Sequence, residues 1–246
     1  MRQIVREIAV CLGKDFKFYF QSKMIFIILP VYAALSAGIT FYASDFLSHT
    51  TVNMQQFFRF QPQLMSVLIP ALTMRLWADE YRNNTLEILL SQPISFFSVV
   101  CGKFLACWLV VGLMLLSSFG VWLIAASLVP LENGWILLNY FITFLMTGSL
   151  CAVSLFAAVW VYNGLGAFLL SLVCCHLLVS LNFDQPVAYL LPNNVMMTDL
   201  LRCFDFKMLF NDMIMGQINF SSIFYFGLLI VAGVGLTTYA VDFKRR

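Results

Sequence analysis

NGWILLNYFITFLMTGSLCAVSLFAAVWVYNGLGAFLLSLVCCHLLVSLNF, residues 133–183, contains not one Asp, Glu, Lys or Arg. A soluble domain could not keep a surface built from such a stretch solvated. A bilayer makes the same composition favourable, because a charged side chain near its centre costs several kcal/mol. The stretch is long enough for two spanning helices of about 20 residues each. A hinge falls in its middle, at Tyr162-Asn163-Gly164-Leu165-Gly166. The chain reads as a polytopic, all-α membrane protein.

Composition agrees: 61% of the residues are hydrophobic and 11% charged, outside the usual range of globular domains. The 246 residues fit one transmembrane domain of six spans and leave no room for a folded soluble domain. The spans fall at about 24–43, 57–76, 99–129, 135–162, 164–182 and 221–241. The first is too long for a signal-peptide core and is retained. The second is interrupted by Pro62 and Pro70 and flanked by Arg59 and Arg75, whose side chains snorkel to the interfaces. A re-entrant segment is its alternative. The third exceeds what a bilayer needs, which predicts tilt or a first turn along the interface.

Basic residues set the orientation. Arg2, Arg6, Lys14, Lys17 and Lys23 precede the first span, Arg75, Arg82 and Lys103 flank the second connection, and Lys244-Arg245-Arg246 end the chain. Only Arg59, Arg202 and Lys207 fall in alternate loops, so eleven of the fourteen basic residues lie on one side. Both termini are therefore expected in the cytoplasm, at an inner (plasma) membrane. Two connections are large. In the outer one, 183–220, Met197, Leu201, Phe204, Met208 and Met215 recur at helical spacing between Asp199, Arg202, Asp205 and Asp212. This predicts an amphipathic helix in the outer interface before the sixth span.

Residues that carry chemistry are scarce. His49 and His176 are too few and too far apart for a zinc set. In Cys174-Cys175-His176, adjacent side chains point to different helix faces, so packing explains them better than a metal. Cys203 alone of the seven cysteines falls in an outer loop, and no disulfide framework is implied. An apolar interfacial stripe explains the outer methionines better than copper handling. No Walker-type phosphate loop is present. Apart from Lys103, which opens the third, the confident spans carry no carboxylate or lysine, which weighs against an ion-coupled secondary transporter, the alternative class. These readings predict no catalytic residue, no metal, no cofactor bound by this chain and no nucleic-acid partner.

The cytoplasmic segment 75–98 remains. On a helix, Trp77, Ala78, Tyr81, Thr85, Ile88 and Leu89 share one sector, with Glu80, Asn83, Asn84 and Glu87 opposite. Asn83-Asn84 favours a break and Pro93 marks an end. A solvated loop is the bland alternative.

The runs Pro70-Ala71-Leu72-Thr73-Met74-Arg75-Leu76-Trp77-Ala78-Asp79-Glu80, Thr85-Leu86-Glu87-Ile88-Leu89-Leu90 and Pro93-Ile94-Ser95 resemble the signature of ABC-2 type permeases. These are the membrane subunits of ATP-binding-cassette transporters, and the resemblance is nearest to the gliding-motility and copper-enzyme-maturation branch. Glu80, Thr85, Glu87 and Pro93 match, and Asn84 stands where Gly is usual. Lys103 matches a lysine that often opens the third span. Phe206, Phe210, Gly216, Ile218, Tyr225 and Phe226 resemble the last outer helix and the start of the sixth span.

The resemblance implies a non-catalytic permease subunit of an exporter, forming half of the pathway beside a second copy or a related permease, among membrane lipids. Trp77, Asp79, Glu80, Tyr81, Thr85, Glu87 and Pro93 would form a coupling helix after the second span that docks on a separate ABC ATPase subunit. Trp77 and Tyr81 would anchor it at the membrane, and Asp79, Glu80 and Glu87 would face the cytoplasm or contact the partner. ATP and Mg would be bound by the ATPase. A haem-exporter-like permease of cytochrome maturation shares the Thr-Leu-Glu-x-Leu-Leu-x-x-Pro run and is the nearest alternative. The aromatic, apolar pathway favours an amphiphilic or lipid-linked cargo.

Overall fold

The computed structural model describes residues 2–43, 54–82, 95–128, 132–181, 204–217 and 219–245. Among them the chain forms α1 (Arg2–Gln21), α2 (Met24–Ala43), α3 (Met54–Arg82), α4 (Phe96–Ser117), α5 (Phe119–Leu128), α6 (Asn133–Val159), α7 (Gly164–Ser180), α8 (Phe206–Ile214) and α9 (Phe220–Arg245). No strand occurs among the described residues.

Helix α6, the first half of the charge-free stretch, is the axis of the bundle. It packs against α3, α4, α7 and α9, and 78% of its apolar window is buried, against 28% for α2 and α9. The apolar surfaces of α2 and α9 thus face outwards, as lipid contact requires. Small residues permit the closest approaches: a Cβ on Gly233 of α9 would stand 2.7 Å from the Ala152 Cβ of α6. Helices associate in membranes by such packing, because apolar burial alone gives no preference for protein over lipid.

Among the described residues, four helical stretches are long and apolar enough to cross a membrane: Met24–Phe41, Phe96–Ser127, Asn133–Val159 and Phe220–Lys244. The expected second span lies within α3. Its Gln61 is buried and accepts a hydrogen bond from the Tyr32 hydroxyl at 3.1 Å, so the polarity that lowers its hydropathy is satisfied inside the bundle. The expected fifth coincides with α7, an apolar helix of 17 residues. Asn163 caps it, with its side-chain oxygen accepting from Leu165 N at 3.3 Å. This is the hinge read from the sequence.

Three features depart from expectation. The 32 residues of Phe96–Ser127 would measure about 48 Å as one helix, against a hydrocarbon core of about 30 Å. The chain breaks at Ser118, whose hydroxyl bonds back to Leu115 O at 2.7 Å, rather than only tilting. Next, α3 runs unbroken to Arg82 instead of yielding to a separate helix after residue 76. Residues 83–94, with Thr85, Glu87 and Pro93, lie outside the described residues. Third, α8 lies on α3, α6 and α7 through Phe206, Leu209, Phe210, Met213 and Ile214. Phe204 and Met215, from the expected interfacial stripe, stay exposed, whereas Met197 and Leu201 lie outside the described residues. Asp205 caps α8 through Met208 N at 2.9 Å, and Gly216 closes it at φ 87°. There Gln217 N bonds to Asp212 O, a Schellman ending that glycine adopts without strain.

Candidate functional site

Segment 2–21 exposes polar residues such as Lys14 and Lys17 beside apolar ones such as Val5 and Val10, whereas Cys11, Asp15 and Tyr19 recur every fourth residue and are all buried. That spacing stacks them on one face of α1, which packs along α4. Gly102 of α4 makes the approach possible, since a Cβ there would fall 2.5 Å from the Cys11 Cβ and 3.1 Å from Leu12 N. Tyr19 extends the contact to α3 by donating to Leu72 O at 3.0 Å. Glu7 holds the start of α4, its carboxylate accepting from Ser98 Oγ at 3.1 Å and Ser95 N at 3.4 Å, where the helix dipole favours negative charge.

The residue after Gly102 is the centre of the site. Lys103 is 1% exposed. Its ammonium donates to Glu80 Oε1 at 2.8 Å and to Leu76 O at 3.0 Å. Asp15 Oδ1 stands 3.7 Å away, and the Trp77 ring centroid lies 5.0 Å from the nitrogen. Lys14, at the exposed rim, adds a second contact to Glu80 Oε1 at 3.3 Å. A buried ammonium without such company would carry a large desolvation penalty. Here α1, α3 and α4 each supply charge to the same point. Burial pushes the Asp15 carboxyl above its ordinary range, with Lys103 pulling the other way. A cavity of about 210 Å³ opens beside the cluster, lined by Lys14, Asp15, Arg75, Asp79, Glu80 and Lys103 among others.

Beyond the other side of the α3 terminus, Lys244 of α9 reaches across to the ends of α3 and α6. It donates to Val159 O at 2.6 Å and to the Tyr81 hydroxyl at 3.1 Å. It also sits 4.7 Å from the Tyr81 ring and 4.2 Å from that of Tyr162. Tyr81 itself donates to Val159 O at 2.9 Å. A second cavity, of about 900 Å³, lies between the end of α3 and the α6–α7 turn and is lined in part by Arg75, Asp79, Arg82 and Asn163. Asp79 therefore borders both cavities.

Sequence reasoning named four of these residues, and the structure revises the surroundings of one. Trp77 is fully buried in the bundle, under Lys103. Glu80 is 8% exposed and held by two lysines of its own chain, instead of facing the cytoplasm. Asp79 and Tyr81 are half-buried. The sequence reading missed Glu7, Asp15 and Lys14 as partners; the four-residue spacing of Cys11, Asp15 and Tyr19 was the available signal. Of the Cys174-Cys175-His176 run, Cys175 is buried against Leu150 O and His176 is exposed beside Ser66, so the neighbours diverge as helix geometry demands.

The family described as ABC-2 family transporter protein matches residues 20–182. The match runs from the end of α1 to the residues just after α7, and it contains Glu80, Lys103 and the charge-free stretch. No curated protein matches the chain. With apolar helices suited to a bilayer and a family match over most of its length, the chain is a multi-pass membrane protein that belongs to the ABC-2 family of transporter proteins.

Proposed function

We propose that this chain is the non-catalytic permease subunit of an ATP-driven exporter. It forms half of the pathway and works beside a second copy or a related permease, with ATP and Mg bound by a separate ATPase. Six spans, both termini in the cytoplasm, residence in an inner membrane and kinship with the gliding-motility and copper-enzyme-maturation branch complete the reading. The family membership, the charge asymmetry and the quoted motif support it.

One observation carries the coupling part. The end of α3, which leads directly into the motif at 85–93, is joined to α1 and α4 through Lys103, Glu80 and Asp15. A displacement applied there moves three packed helices together, because a buried ion cluster resists separation. The ATPase would engage the segment 83–94 and the exposed rim around Asp79.

The test is reconstitution of the full chain with a cognate ABC ATPase. Hydrolysis that rises on co-reconstitution, and an ATPase that co-purifies with the permease, are the expected results. ATP turnover by the isolated chain after rigorous purification would overturn the proposal.

A further inference from the structure

At the other end of α3 lies a second polar cavity, of about 370 Å³, lined by Arg59, Phe60, Gln63, Lys207 and Asn211. Its two charged residues are both cations, from α3 and α8, and both are exposed. Gln63 ties the Lys207 ammonium to α3. Its amide, oriented to satisfy both ends, donates to Arg59 O at 3.2 Å and accepts from Lys207 Nζ at 2.9 Å. The nearby Asp205 carboxylate caps the α8 backbone, and among the described residues no carboxylate lines the cavity.

Position narrows the ligand. Arg59 and Glu80 are 21 positions apart on one helix, about 32 Å at 1.5 Å per residue, which matches a hydrocarbon core of about 30 Å. If the Lys103 cluster lies at one membrane surface, Arg59 and Lys207 lie at the other, at headgroup depth. Directly along α3 from the cations, Phe60 and Val67 are exposed on one face, offering apolar surface towards the membrane interior.

We propose that Arg59 and Lys207, spaced by Gln63, bind the phosphate group of an anionic ligand. Phe60 and Val67, exposed on α3 below the cations, fit the chains of a phospholipid, and a free phosphate shares the headgroup chemistry. The proposal rests on α3 and α8 alone and stands whether or not an ATPase couples at the opposite end.

The test uses the full chain in phosphatidylcholine nanodiscs with and without an equal part of phosphatidylglycerol, and lipid retention is read by native mass spectrometry. Wild type should retain phosphatidylglycerol. Arg59→Gln with Lys207→Gln should retain it at least tenfold less, at roughly fivefold per cation near a membrane surface. Lys17→Gln, an exposed lysine on α1, should behave as wild type. In detergent, a rise in melting temperature with inorganic phosphate that the double variant lacks would assign the site to soluble phosphate instead. Should the double variant fail to fold, Lys207→Gln alone, on the exposed face of α8, carries the same comparison. Equal phosphatidylglycerol retention by wild type and the cation variants, with no variant-dependent response to phosphate, would overturn the proposal.

Discussion

Lys103 Nζ lies 2.8 Å from Glu80 Oε1, so one buried contact joins α4 to the last turn of α3. Such a contact is weak evidence for stability, because desolvation offsets its attraction, but removing one partner strands the other. Lys103→Met leaves the Glu80 and Asp15 carboxylates buried without their shared cation and should destabilise the protein by about 3–5 kcal/mol. Glu80→Gln, which keeps a hydrogen-bonding group beside Lys103, should cost clearly less. The double variant should recover part of the Lys103→Met loss. Unfolding in detergent, followed by thermal denaturation of all three, checks the order.

Asp15 adds a dependence on pH. Its carboxyl is held above the ordinary range by burial, against the pull of Lys103. The folded chain therefore binds this proton more tightly than the unfolded one. The stability linked to it is fully present below the unfolded value and is lost as pH rises through the folded value. Asp15→Asn cannot titrate. Wild type should accordingly gain stability relative to Asp15→Asn as pH falls from neutral into the acid range. Melting temperatures of the pair across that range give the answer, and a constant difference would contradict the assignment.

Gly102 sets the distance between α1 and α4. A Cβ added there would meet the Cys11 Cβ at 2.5 Å and backbone atoms beyond it, and backbone cannot yield as a flexible side chain does. Gly102→Val should lift α1 from the bundle and cost about 1–3 kcal/mol by overpacking. Gly13, with nothing within 4 Å of its added Cβ, is the matched control, and Gly13→Ala should be neutral or stabilising in a helix. Protease cleavage within 2–21 should rise in the first variant only.

Much of the fold was legible because a bilayer punishes charge and rewards length. Residues 24–43 were read as a span and form α2 with the same limits, and Asn163 caps the helix expected after the hinge. The limits of α3 were less legible. Pro62 and Pro70 read as interruptions, but both are buried inside one continuous helix, where packed neighbours satisfy what proline leaves open. The site was half legible. A motif points to Trp77, Asp79, Glu80 and Tyr81, but nothing local tells that Glu80 turns inwards, because its partner Lys103 comes from the next helix. Asp15 looked like one more charge in a basic segment. Its burial depends on Gly102, a residue 87 positions away.

Lys244 should act as a latch between the last helix and the ends of α3 and α6. It combines hydrogen bonds to Val159 O and Tyr81 with two aromatic faces. A cation over a ring contributes about 0.5–2 kcal/mol, depending on solvation. Lys244→Gln should lower stability by about 1–2 kcal/mol. Tyr162→Leu should remove part of the same energy, so the double variant should fall short of additivity. A double-mutant cycle on detergent-solubilised protein measures the shortfall. Strict additivity would show that the ring and the ammonium do not interact.

The buried position of Glu80 separates two kinds of carboxylate in the proposed coupling region. Glu80 is held within its own chain by Lys103 and Lys14, so Glu80→Ala should reduce the stability of the permease itself by about 3 kcal/mol, as loss of a buried charge partner does. Asp79, half-buried and bordering both cavities, and Glu87, outside the described residues, should behave differently. Asp79→Lys or Glu87→Lys should leave the melting temperature of the isolated permease nearly unchanged. Each should weaken co-purification of the ATPase, by a few tenths of a kcal/mol if its contact is exposed and by about 2 kcal/mol or more if it is buried against a partner donor. Measuring both quantities for each variant is essential, because Glu80→Ala can lose the ATPase merely by loosening α3. If Asp79→Lys and Glu87→Lys keep full ATPase binding and full coupled hydrolysis, the segment after α3 is an ordinary solvated loop. The force from ATP must then enter the permease elsewhere.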